Sequence, residues 1–199
     1  MEYGIQHRSI YVVPPSPEAL EWILDSFEQR EIWSMFGFEG PSRALMAERR
    51  AAGNLILGVI HKVETEERIG FAVEFPPVPP LNMWEFGIAV PDPKHRDLKS
   101  AIEAGDAWAH YFFDHLRMEE GAWRIRADNA SSMALATRMG YRPYLIWDMG
   151  GVKQQFFRMD QARWAERLAQ IQQEEDLLAT GEDLFVTLEP PFRPHKPFE

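Results

Sequence analysis

Between Asn54 and Val90 the chain reads NLILGVIHKV, ETEE, RIGFAVEF, PPVPPLN and MWEFGIAV. Three runs rich in β-branched and aromatic residues follow one another, and only a polar turn and a rigid Pro-rich loop separate them. The first two runs predict a hairpin, and MWEFGIAV predicts a third strand. On that strand Trp84, Phe86, Ile88 and Val90 share one face, while Glu85, Gly87 and Ala89 share the other. The next stretch, PDPKHRDLKSAIEAGDAWAHYFF, leads into a helix. Its stripe is Leu98, Ile102, Gly105, Trp108, Phe112 and Leu116, which predicts a helix from about Leu98 to Met118. AWRIRAD then returns as a strand. Antiparallel hairpins with one βα crossover predict an α+β domain with a mixed, mostly antiparallel central sheet flanked by helices, and not a doubly wound fold.

The remaining segments fit around this frame. RSIYVV, residues 8–13, predicts a first strand stopped by PPSP. Ser16 caps the next helix, with Pro17 in its first turn. Leu20, Ile23, Leu24, Phe27 and Ile32 fall at helical spacing in EALEWILDSFEQREIWSMF, and GFEGPS breaks the pattern. RALMAERRAAG predicts a second helix, ended by Gly53. SSMALATRM is a short helix ending at Gly140, and YRPYLIWDM and VKQQFFRMD form a last hairpin across Gly150 and Gly151. A polar helix follows from Gln161 to about Thr180, then a Pro-rich end. This divides the chain into a domain over 1–168 and a C-terminal helix and tail over 169–199.

The totals narrow the function. The chain has 199 residues and is 45% hydrophobic and 13% aromatic, enough for a full core. A formal net charge of −10 argues against nucleic-acid binding through a broad basic surface. The absence of cysteine removes disulfides, thiolate zinc sites and a cysteine nucleophile. His110 and His115 do not share a helix face, His61 is distant in sequence, and no HExxH spacing occurs, so no metal is expected. No signal peptide and no apolar run of membrane-spanning length is found, and a cytoplasmic location is the expectation.

The loop from Pro91 to Ala101 stands between a strand and a helix N-terminus, a natural anion seat, yet it holds no glycine. Downstream lies NASSMALATRMGY, Asn129 to Tyr141. There Asn129, Ala134, Leu135, Gly140 and Tyr141 sit at a spacing that resembles the GCN5-related N-acetyltransferase (GNAT) superfamily, in the flavour of the ribosomal-protein alanine acetyltransferases. WEFGIAV-PDPKHR resembles the family's fourth strand and cofactor loop, and VKQQFFRMD...RW its last strand and closing tryptophan. The resemblance covers roughly residues 8–168. Two positions depart from the pattern. Lys99 stands at the loop's central glycine. Ala136 stands where many relatives carry a tyrosine that protonates the leaving thiolate, and Ser132 takes the place of a serine used by some relatives instead.

The resemblance implies a GNAT fold, acetyl-CoA as co-substrate and an amine acceptor. It implies that the backbone of Ile88, Ala89 and Val90 pairs with pantetheine. The N–H groups from Arg96 through Lys99 and Ser100 to Ala101 meet the pyrophosphate, with Arg96 and Lys99 adding charge. Glu85 is the candidate general base, since burial raises a carboxyl pKa toward working pH. Ser132 is the candidate acid, and Asn129 orients the cofactor or a water. Each residue has a plainer role beside the functional one: Glu85 an exposed strand residue, Asn129 and Ser132 a helix cap and first turn, Arg96 and Lys99 solvated charges beside Asp97.

Two functions therefore stand side by side. One is an N-acetyltransferase acting on a small-molecule or peptide amine by direct attack in a ternary complex. Residues 22–45 and the 142–156 hairpin would form its acceptor wall. The other is a catalytically inactive protein of the same fold that binds CoA or a protein partner. No nucleic acid or membrane is expected as partner. A homodimer, and a protein partner for the C-terminal tail, complete the expectations.

Overall fold

The computed structural model describes residues 3–36, 43–77, 83–178 and 183–194. Among these residues nine strands form one sheet. They are β1 (Gly4–His7), β2 (Ile10–Val13), β3 (Ile56–Lys62), β4 (Arg68–Phe75), β5 (Trp84–Ala89), β6 (Glu120–Arg126), β7 (Arg142–Met149), β8 (Val152–Asp160) and β9 (Val186–Leu188). Their order across the sheet is β7-β8-β6-β5-β4-β3-β2-β1-β9. All neighbours run antiparallel except β5 and β6. That parallel pair needs a crossover, which α4 (Leu98–His110) supplies together with a wide π turn over Tyr111–His115.

Helices cover both faces. The α4 side also carries α5 (Ala130–Arg138) and α6 (Gln161–Leu178). Its core includes Trp108, Phe86, Trp123, Met139 and Trp164. On the other side α1 (Pro17–Glu28), α2 (Arg30–Phe36) and α3 (Arg43–Ala51) cover a core around Phe27, Phe71, Val73 and Met46. Period-two alternation on β4 and β5 divides their side chains between these two cores. Glu74 and Phe86 face α4, whereas Phe75 and Glu85 face the α1 side.

Several expectations shift. The strand expected over residues 8–13 is β2 and begins at Ile10, because Arg8 and Ser9 form the turn of a β1–β2 hairpin, with Arg8 in left-handed backbone at φ 53. β1 itself carries too few apolar residues to stand out, yet all four of its residues are buried. The long helix after Ser16 divides at Gln29, whose backbone is extended. Ser16 caps α1 as expected, accepting the Ala19 N–H. The crossover helix ends before Met118, since Leu116 N–H reaches back to Tyr111 and Arg117 adopts φ 56. Part of the Pro-rich end lies outside the described residues, but Val186–Leu188 adds a strand to the free edge of β1.

Candidate active site

The ladder between β5 and β6 is short. It joins Trp84 to Gly121, Glu85 to Ala122 and Phe86 to Trp123, and stops there, although β5 continues to Ala89 and β6 to Arg126. The two strands therefore separate toward their C-terminal ends and open a cleft of about 340 Å³. Ile88, Ala89 and Val90 form one wall, and Trp123, Arg124 and Ile125 the other. This brings the three predicted strand residues to the mouth of a wedge, where their backbone edge faces no strand.

The N-terminus of α4 closes one end of the cleft through Arg96, Asp97 and Ala101. Asp97 is the cap, and its Oδ1 accepts the Ser100 N–H at 2.8 Å. Arg96 N–H bonds to Pro93 O, Asp97 N–H to His95 O and Ala101 N–H to Asp97 O. Among the described residues, the amides of Leu98 and Lys99 are left open in this turn. Of the two expected charges, Arg96 lines the cleft and Lys99 does not. The Arg96 guanidinium donates to the carbonyls of Val90 and Pro91, at 2.8 Å each, and so ties the end of β5 to the loop. The Lys99 side chain is 74% exposed, stands 3.7 Å from Glu103 Oε1 and lines a separate groove beside α6. Because residue 99 is helical, the position needs no left-handed backbone, and its side chain points away from the cleft.

Asn129 and Ser132 line the opposite corner. Asn129 Oδ1 caps α5, accepting the Ser132 N–H at 3.2 Å and the Ser131 hydroxyl at 3.0 Å. Cap and cleft residue thus coincide. The Ser132 hydroxyl has no hydrogen-bond partner among the described residues. Ala136 is fully buried in the α4-side core and does not reach the cleft.

Glu85 is only 3% exposed, which excludes the solvated-strand role. Its Oε2 lies 2.9 Å from Arg124 Nε. Arg124 forms the cleft wall, and Glu85 stands behind it. Burial pushes the Glu85 carboxyl above its ordinary value, with Arg124 opposing the shift. On the other face Glu74 accepts the Trp108 indole N–H at 2.7 Å, and its second oxygen is buried without a partner among the described residues. Burial pushes Glu74 well above the usual carboxylate range, the indole bond opposes this, and the charge of Glu85 adds to it.

The family model described as acetyltransferase (GNAT) domain matches residues 8–142. The chain belongs to the GNAT acetyltransferases. No curated protein matches it. Solved GNAT-fold structures are similar over most of its length at low identity. Spermidine N-acetyltransferase from Vibrio cholerae, in complex with CoA and spermine, has a TM-score of 0.66 at 15% identity, covering 79% of this chain and 98% of that one. An aminoglycoside acetyltransferase in complex with coenzyme A has 0.65 at 9% identity, with the same coverage. A nucleotide-linked sugar GNAT, FdhC, has 0.65 at 13%, covering 85% and 97%. The family and the fold agree with the sequence-based expectation.

Two cleft residues of this GNAT chain escaped sequence reading. Arg124 alternates with Trp123 and Ile125 on a strand and reads as an ordinary exposed position. Only the β5–β6 register shows that it meets Glu85. Asp97 could have been found, since an Asp directly before a helical pattern and three residues ahead of Ser100 is a cap signal. Among the described residues no group of His, Asp and Glu could hold a metal ion.

Proposed function

We propose that this chain transfers an acetyl group from acetyl-CoA to a primary amine by direct attack within a ternary complex. One observation carries this: the β5–β6 ladder stops at Phe86 and Trp123, leaving a strand edge beside a helix N-terminus with open amides. A pantetheine arm, which carries amide groups, fits the edge of Ile88 to Val90. A diphosphate fits the open Leu98 and Lys99 N–H groups, where the helix dipole favours an anion. The amine nitrogen attacks the thioester carbonyl carbon, and the carbon–sulfur bond breaks. Ser132 gives a proton to the departing thiolate and regains one from solvent, and the proton lost by the amine passes through water to Glu85, whose raised pKa suits a base. Asn129 holds the turn that presents Ser132.

The acceptor is an amine. Structures of like fold come from spermidine and aminoglycoside acetyltransferases, and the Asn129–Tyr141 segment resembles the ribosomal-protein type, so polyamines, aminoglycosides and a peptide N-terminus form the acceptor set to compare. Calorimetry with acetyl-CoA and a thiol-release assay over these acceptors test the proposal. Binding with acceptor-dependent thiol release is expected, and no binding at millimolar acetyl-CoA overturns it. Binding without thiol release would favour the inactive alternative, for which the burial of Ala136 away from the cleft speaks.

A further inference from the structure

Two oppositely charged, exposed side chains mark the start of α4. Arg96 is held by the carbonyls of Val90 and Pro91. Asp97 lines the cleft and lays its carboxylate on the first turn of α4, taking the Ser100 N–H. Lys99, the other cation of this turn, reaches Glu103 on the far side.

We propose that Asp97 is a built-in competitor for the diphosphate of the acyl donor, seated on the same helix N-terminus and holding down this chain's affinity for that donor. The inference rests on the function proposed above. A helix N-terminus offers a few N–H donors and about half a positive charge to whichever anion reaches it. Here an internal carboxylate already takes one donor and brings a full negative charge beside the two amides that remain. An incoming diphosphate must approach within one helical turn of that charge.

Nothing nearby offsets it. Among the described residues no Lys or Arg nitrogen stands within 4.0 Å of Asp97, and Lys62 acts on it only at longer range. Asp92 is the instructive contrast. It caps the short 3-10 turn in the same loop by accepting the Lys94 N–H, but the Lys94 ammonium lies 3.4 Å from its carboxylate. Partial burial works to raise the Asp97 carboxyl, yet the hydrogen bonds from Ser100 together with the more distant charge of Lys62 hold the group below its ordinary value, so the charge is present at neutral pH.

Serine and asparagine also cap helices, so Asp97→Ser and Asp97→Asn remove the charge while keeping a side-chain acceptor for the Ser100 N–H. Asp92→Ser removes the same charge from the same loop at a distance from the seat. CoA, and pantetheine as a probe without the diphosphate, are titrated by calorimetry into the full-length wild type and the three variants, after thermal melts confirm folding. Both Asp97 variants are expected to bind CoA about tenfold more tightly than wild type, with Asp92→Ser within about twofold and pantetheine alike for all. A silent wild type with CoA-binding Asp97 variants supports the competitor role at this seat while overturning turnover by the wild type. If wild type binds and the Asp97 variants bind no better, or Asp92→Ser gains as much, the competitor role falls while the proposed function stands. If none of the four proteins binds CoA, both fall.

Discussion

Glu85 and Arg124 form a nearly closed ion pair, with side chains 5% and 13% exposed. Removing one partner strands a buried charge, at a cost of about 3–5 kcal/mol, whereas replacing both by apolar groups costs far less. Arg124→Met should therefore melt well below Glu85→Met/Arg124→Met, a comparison that denaturant unfolding checks. Ser132→Ala leaves the Asn129 cap in place, since the cap uses the Ser132 N–H. It should lower turnover by roughly a hundredfold with little change in acetyl-CoA affinity. Glu74 gives a pH signature. Its folded-state pKa is raised, so between the ordinary glutamate value of about 4.3 and the raised value the folded protein holds a proton that the unfolded chain has lost. Stability therefore falls as pH rises through that window. Glu74→Gln keeps an acceptor for the Trp108 indole and removes the ionisation. Urea unfolding from pH 5 to 9 should show a decline in wild type that is flatter in the variant.

At the scale of elements, β5, α4 and β6 make the site, and each was legible in the sequence because its apolar period was clean: alternation in MWEFGIAV, the i+3/i+4 stripe from Leu98. What was hidden is a relation between elements. That β5 and β6 part after three residue pairs, and that Arg124 backs onto Glu85, follows from register, which no single strand carries in its own pattern. β1 stayed hidden for a different reason. Gln6 and His7 are polar yet buried, held by neighbours from the two ends of the chain, so burial did not follow hydropathy. The helix-to-sheet seating is tight at Gly58, where an added Cβ would come within 2.6 Å of Val12 Cγ1 and closer still to the Trp108 ring. Gly58→Ala should cost about 1–3 kcal/mol by overpacking, measurable by chemical denaturation.

For the molecule as a whole, the family match ends at residue 142, but the sheet does not. β9 pairs with β1, the His7 ring nitrogen Nδ1 lies 2.7 Å from Leu184 O, and the Phe185 ring stacks against both His7 and His110. Deleting residues 183–199 should lower Tm by roughly 5 °C or more and promote aggregation through the bared edge of β1, as scanning calorimetry and light scattering would report. The pairing of β1 with β9 joins Gly4 to Leu188, a closure whose partner strand is made after the other described strands. Until β9 is made, β1 and the sheet behind it must wait with that flank open, and that interval is when a nascent chain most needs shelter from its neighbours.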